Sequence, residues 1–278
     1  MQLSLSQTPK SISSANYLLR QYGGAAAAYS LQRLDTSTEN VVRVRRSSDD
    51  AEADFTAEEV AGGALAAYCG VGDGFVVSLY DQSGNGRDAT QATAASQPQI
   101  VSNGSVLTSR SKPCLSFNGS STSLSNAWGQ ITGATARTTI AVYGNMAGGD
   151  AVSWGTVSAG GLSGLGGVGN AYRCYSGTDQ ITAGTDGGVI NLITNTFDGT
   201  SNSDNSKLYL NGTKDPAAAV AGATENTGSS ALEVGRRVGG STYYTGKIAE
   251  VIIYASDKSS DRAAIEANVA SRYGITLA

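Results

Sequence analysis

From Gln99 onward the chain is a succession of short β-forming runs, each closed by a turn cluster, and that rhythm limits the fold more than any other feature. The runs are Gln99–Ser102, Cys114–Phe117, Thr138–Tyr143, Ala151–Val157, Ala171–Tyr175, Val189–Phe197, Lys207–Leu210, Ala231–Arg237 and Lys247–Tyr254. Asn103-Gly104, Asn118-Gly119 and Asn211-Gly212 are among the closers, and such dipeptides favour the left-handed backbone of hairpin turns. Short strands at regular turn spacing predict an all-β sandwich. Two further strands are expected upstream, Ala26–Leu34 and Val41–Arg46. The alternation in the second puts Val42 and Val44 on one face and Arg43 and Arg45 on the other. A few short helices complete the reading. One spans Ala15–Tyr22. A second, Ala57–Tyr68, is capped by Thr56 and buries Val60, Ala64 and Leu65. The third is the C-terminal Ser259–Tyr273, ended by Gly274. No linker, repeat or heptad interrupts the chain, so residues 15–278 are expected to form one domain behind a polar N-terminal arm, 1–14.

The densest information lies in Gly74–Gln91. A β-branched and aromatic run there ends in Asp81-Gln82-Ser83-Gly84-Asn85-Gly86-Arg87-Asp88. Period-two alternation predicts that Phe75, Val77 and Leu79 face the core. Asp81, Ser83, Asn85 and Asp88 read as a structural loop whose side chains cap its own amides. Their spacing also matches the first half of a calcium loop, but position twelve is Ala92, so the favoured expectation is no metal.

Several function classes are excluded by what the chain lacks. It has no histidine, which removes Ser-His-Asp, Cys-His and HExxH chemistry. Cys69, Cys114 and Cys174 are odd in number with no CxxC spacing, so they are expected as buried thiols. A net charge of −4 gives no broad field for nucleic acid. No membrane span and no export leader are legible. The expectation is a protein made in a cytoplasm, with no cofactor, no nucleic-acid partner and no membrane partner. Arg43, Arg45 and Arg46 are the local basic exception. They read either as a partner-contact strand or as a solvated face paired with Asp49, Asp50 and Glu52.

Ala26–Leu34 (AAAYSLQRL) and Leu79–Gln91 (LYDQSGNGRDATQ) resemble the catalytic domain of the fungal-type arabinofuranosidase B family, a concanavalin A-like jelly roll. Gly246–Tyr254 (GKIAEVIIY), with a helix and Tyr273-Gly274 after it, resembles the close of laminin-G-like domains. AAAAYSLQRL, VVRVRRSSDDAEADF and YDQSGNGRDATQ are also similar to stretches of predicted bacteriophage virion proteins. The resemblance implies a concanavalin A-like jelly-roll β-sandwich.

That family takes its nucleophile Glu from a middle strand, yet no Glu lies between Val60 and Thr224. Its acid/base Asp precedes an aromatic-Gly segment, and the matching stretch Val234–Gly240 holds no acid. Ala151–Gly155 stands where the family has an adjacent cysteine pair. These departures predict no catalytic residues and no enzyme. Glu233 and Glu250, on neighbouring expected strands, read as a possible carboxyl pair or, preferred, as structural acids paired with Arg236 or Lys247. Trp128, Trp154, Tyr172, Tyr175, Tyr243 and Tyr244 are the candidate sugar-stacking aromatics, the alternative being core. The expected function is a non-catalytic virion protein, in capsid decoration or tail, that forms a homo-oligomer on the particle and contacts other virion proteins through the arm and the arginines. A host-surface glycan is its further expected partner. The alternative is a carbohydrate-binding module or an arabinofuranosidase-like glycoside hydrolase.

Overall fold

A computed structural model describes residues 17–156, 161–176, 179–200, 206–214 and 227–278. The expected arm, 1–14, lies outside the described residues. Helix α1 (Leu18–Gln21) leads into β1 (Ala25–Ser30). Strands β2 (Asn40–Arg46) and β3 (Glu52–Thr56) form a hairpin. The helix expected over 57–68 is two helices, α2 (Ala57–Ala61) and α3 (Ala64–Cys69). Thr56 and Glu59 form the expected capping box, but Gly62-Gly63 breaks the run, Gly63 lying at φ 92°. The break exposes Ala64, while Val60 and Leu65 are buried as expected.

Strand β4 (Gly74–Leu79) runs to β5 (Ala89–Thr90), and β6 (Gln99–Ser102) turns at Asn103-Gly104 into β7 (Ser105–Val106). A small separate ladder, β8 (Thr108–Ser109) with β9 (Lys112–Pro113), precedes β10 (Leu115–Asn118) and β11 (Leu124–Asn126). The chain continues through β12 (Arg137–Gly155), β13 (Leu162–Val168), β14 (Ala171–Ser176), β15 (Asp179–Thr185), β16 (Ile190–Phe197), β17 (Ser206–Leu210), β18 (Thr213–Lys214), β19 (Leu232–Val234) and β20 (Thr245–Tyr254). Helix α4 (Arg262–Tyr273) ends at Gly274, which takes the left-handed conformation at φ 62°.

Strand β12 organises this assembly. Its first half pairs with β16 and β20, and its second half pairs with β13 and β19. The change of partner falls between Gly144 and Gly148, and Gly149 then adopts φ 90°. A side chain at Gly149 would strike the carbonyl of Tyr243, so glycine is required for the crossing. Because β12 pairs on both sides of the crossing, hydrogen bonds join the described strands other than β8 and β9 into one continuous 18-stranded sheet around the core. The structure is mostly β, as expected.

The main core holds Val44, Val76, Phe117, Tyr143, Trp154 and Ile253 between the layers. A second apolar cluster lies outside it, where α4 lays Ile265, Val269 and Tyr273 over Ile140, Ile252 and Tyr254. Strand β20 is therefore covered on both faces, which explains its nearly unbroken apolar run.

The expectation for β4 holds at Leu79 and fails at Phe75 and Val77. Val76 and Leu79 face the core, at 0% and 5% exposure, while Phe75 and Val77 are only half-buried. The register shows why: Ser78 opposes Arg43 but Val76 opposes Val44, so Val77 is an extra, bulged residue that shifts the alternation by one.

Candidate functional site

The bulge at Val77 has a consequence on the outward face of the sheet. Residues directly opposite one another across antiparallel strands share a face. Register places Ser78 opposite Thr90, Thr90 opposite Ser125, Ser125 opposite Glu233, and Glu233 opposite Ser153. Val76, Leu124, Val234, Val152 and Trp154 on the same strands belong to the core, so this row points away from it. Four hydroxyl side chains thus cross β4, β5, β11 and β12, with one carboxyl, Glu233, among them on β19.

A charged network borders the row. After Gly235, at φ 84°, the chain folds back across the outward face. The Ser153 hydroxyl pins it there, donating to Arg236 O at 2.9 Å and accepting the Val238 N–H at 2.8 Å. Successive arginines then diverge. Arg236 Nη2 bonds Glu233 Oε1 at 2.5 Å, and Arg237 Nε bonds Asp150 Oδ2 at 2.8 Å. Asp150, fully buried, also accepts from Arg173 Nη2 at 2.7 Å and from the Tyr175 hydroxyl at 3.1 Å. The Arg173 and Arg237 guanidinium groups lie 4.6 and 4.9 Å from the Tyr175 ring centre. Gly164 and Gly166 make room for the β12 segment, since a side chain at either would strike β12 backbone.

Glu233 differs from the other charged groups here. Burial pushes its carboxyl above the ordinary glutamate range, against the opposing pull of Arg236. Its Oε2 has no hydrogen-bond partner among the described residues. A buried carboxyl whose pKa is raised and whose second oxygen lacks a partner is the kind of group that acid–base chemistry uses.

The other expected site residues fall elsewhere. Trp154, Tyr172 and Tyr244 are fully buried, Tyr175 is 4% exposed and Trp128 8%. Trp128 and Trp154 pack against each other at 6.1 Å, and Tyr143 links Tyr172 and Tyr244 at 5.3 and 6.0 Å. These five rings are interior and form no exposed stacking platform. Tyr243 alone of the six is half-exposed, beside Arg236 at 5.8 Å. Glu233 and Glu250 do not meet. Glu250 lies on the outward face of β20 under α4, held by Arg272 at 2.5 Å and Ser30 at 2.8 Å, so its partner is neither Arg236 nor Lys247.

In the Asp81–Asp88 loop, both Asp81 oxygens accept backbone amides: Oδ1 from Ala28 and Ser83, each at 2.9 Å, and Oδ2 from Arg87 at 3.0 Å. Ser83 donates to Asp81 at 2.7 Å, Asp88 accepts the Asp81 N–H at 2.8 Å, and Asn85 reaches the carbonyl of Ala25 at 2.9 Å. The loop clamps β1 as well as itself. Arg43, Arg45 and Arg46 pair within the chain, with Asp54 (2.7 Å), Asp50 (2.6 Å) and Asp49 (2.6 Å). Asp54 replaces the expected Glu52 because it lies directly opposite Arg43 in the hairpin.

Sequence reasoning passed over Asp150, Arg173 and Arg237. The available signals were charged residues in apolar or glycine-rich surroundings: Asp150 between Gly149 and Ala151, Arg173 in an alternating strand, and Arg236-Arg237 between Gly235 and Val238.

The match that decides the family covers residues 109–264, from β8 into α4. The chain belongs to the concanavalin A-like lectin/glucanases superfamily. Curated protein sequences give no match. Among solved structures, this superfamily member is similar to an α-L-arabinofuranosidase soaked with a cyclic sulfate inhibitor, with a TM-score of 0.67 and 17% identity over 88% of this chain and 62% of that one. An arabinofuranosidase complexed with arabinofuranosyl-α-1,2-xylobiose gives a TM-score of 0.68 and 16% identity over the same shares. The chain therefore spans less than two thirds of the length of these enzymes. Their likeness establishes a shared fold, one related to glycoside hydrolases. The expectation of a non-enzyme is corrected by that finding, since the solved structures sharing the fold are glycoside hydrolases. The expected virion role gains no support from the comparisons.

Proposed function

We propose that this chain is a glycoside-binding and glycoside-hydrolysing domain whose sugar site is the part of the outward row formed by Ser78, Thr90, Ser125 and Glu233, with Ser153 beneath the covering turn. The observation that carries the reading is the position of Glu233, the one carboxyl in that row, with a vacant oxygen and a pKa raised by burial. The hydroxyls suit a polyhydroxylated ligand, offering donors and acceptors across several strands. Glu233 transfers a proton to the glycosidic oxygen as the bond to the anomeric carbon breaks; a water molecule then bonds to that carbon and gives its proton back to the Glu233 carboxylate, so that the two products are the free sugar and the alcohol. Asp150 is a positioning residue. It fixes Arg173 and Arg237 and thereby the turn that carries Arg236. Arabinofuranosides are the first substrates to test, because enzymes sharing the fold act on them.

The test is a panel of 4-nitrophenyl glycosides that includes the α-L-arabinofuranoside. The full chain releases nitrophenol from at least one member. Glu233→Gln lowers kcat by about 10²–10⁴-fold, the usual contribution of a general acid or base, while the melting transition stays cooperative. No release by the wild-type chain from any member, or an unchanged rate in Glu233→Gln, refutes the reading.

A further inference from the structure

A second row crosses the same outward face nearer the start of β4. Arg45 opposes Phe75, Phe75 opposes Gln99, and Gln99 opposes Ser116, on β2, β4, β6 and β10. These residues line an open groove of 360 Å³, walled on one side by Ala94-Ala95 and on the other by Asn118–Thr122. It shares no residue with the Glu233 row.

Most of the lining is fixed before any ligand arrives. Gln97, 4% exposed, forms part of the groove, its Oε1 accepting from Arg45 Nε at 2.8 Å and its Nε2 donating to Gln91 O at 2.9 Å. Asn118 Oδ1 caps the amides of Ser120, Ser121 and Thr122 at 2.9, 2.9 and 3.2 Å. Arg45 is neutralised by Asp50 and covers the Phe75 ring at 5.1 Å. Two side chains remain uncommitted: the Gln99 amide and the Ser116 hydroxyl make no hydrogen bond among the described residues. Next to them is a half-buried aromatic ring. Three strand spacings from Arg45 to Ser116 make the row roughly 14 Å long.

We infer that this groove binds a neutral polysaccharide chain, as an accessory contact separate from the Glu233 row. The lining is uncharged on balance, which disfavours nucleic acid and polyanions, whose binding rests on unneutralised cations. A free amide and a free hydroxyl match sugar hydroxyls, and the part of the half-buried Phe75 ring that Arg45 leaves uncovered offers an apolar surface to a sugar's C–H groups. Walls already hydrogen-bonded in place lose little freedom on binding. The length suits a chain rather than a single ring. The groove rests on the proposed function only in that both sites take glycans.

The test is native affinity electrophoresis of the full chain in gels containing arabinan, arabinoxylan or mixed-linkage β-glucan, with pectate as the anionic control. At least one neutral polysaccharide retards the wild-type chain, and high salt leaves the retardation unchanged. Phe75→Ala and Gln99→Ala each weaken it by about tenfold. Ser116→Tyr fills the groove without touching the core and does the same. Val71→Ser, at an exposed position outside the groove, is retarded like wild type. The groove is overturned if no neutral polysaccharide retards the chain, if only pectate does and salt abolishes it, if Ser116→Tyr binds like wild type, or if Val71→Ser loses binding as fully as the groove variants. Retardation without cleavage of any nitrophenyl glycoside leaves the groove standing and removes the hydrolytic reading.

Discussion

Replacing Asp150 with alanine should be among the most damaging single changes in this protein. The side chain is fully buried and joins Arg173, whose side chain is 8% exposed, to Arg237, at 23%. Removing it takes one acceptor from three donors and leaves two guanidinium groups without the counter-ion they share. Breaking a buried ion pair from one side costs about 3–5 kcal/mol, because the remaining charge has lost its compensation. With an unfolding entropy of about 2.1 cal/mol/K per residue, 278 residues give about 0.6 kcal/mol/K. The expected fall in melting temperature is therefore about 5–9 °C. Urea titration of the variant gives the free energy directly. The double variant Asp150→Leu with Arg173→Met should recover part of the loss, since it removes charge from both sides, and the cycle should show a coupling of about 0.5–3 kcal/mol. A cost below about 1 kcal/mol for Asp150→Ala, with no coupling in the cycle, would refute the claim that this carboxylate holds the turn.

Two further outcomes follow from the same structure. Leu79→Ala should cost about 2–5 kcal/mol, whereas Val77→Ala should cost well under about 1 kcal/mol, since Val77 is the half-buried bulge residue; equal losses in urea titrations would remove the bulge. The folded state lifts the Glu233 pKa above its unfolded value of about 4.5, so the stability it contributes is full below that value and is lost as pH rises through the raised one. Relative to wild type, the melting temperature of Glu233→Gln should therefore become more favourable from acid to neutral pH, and parallel curves for the two proteins would contradict the raised pKa.

The parts of the fold set by local chemistry were legible. Asn103-Gly104 and Asn211-Gly212 adopt left-handed pairs, at φ 47° and 75° and φ 48° and 86°, as their turn chemistry requires. Thr56 and Glu59 cap α2, and Gly274 closes α4. What depended on register was not legible. Leu79 was assigned inward correctly, but Phe75 and Val77 were misassigned because one bulged valine inverts the alternation before it, and no local signal marks Val77 as that residue. Thr138–Tyr143 and Ala151–Val157 read as two strands; within the described residues, Arg137–Gly155 is one strand that changes partners. None of the expected runs covers Leu162–Val168, yet it is a strand, and Gly164 and Gly166 in it are demanded by close contact with the β12 backbone. The candidate site fails to show for the same reason. Its row gathers residues from positions 78 to 233, and only strand pairing brings them together.

The central claim is that a glycan is held at the outward row around Glu233. NMR titration of the labelled full chain with an arabino-oligosaccharide tests it most directly, by following the backbone amides of Ser125, Glu233, Arg236 and Arg237 together with the Glu233 side-chain carboxyl. The account predicts that these signals move together and saturate, and that the Glu233 carboxyl, above the ordinary glutamate range in the free protein, shifts its titration when ligand is present. Saturable shifts confined to residues outside this row, or a Glu233 carboxyl that titrates as an ordinary exposed glutamate, would contradict it.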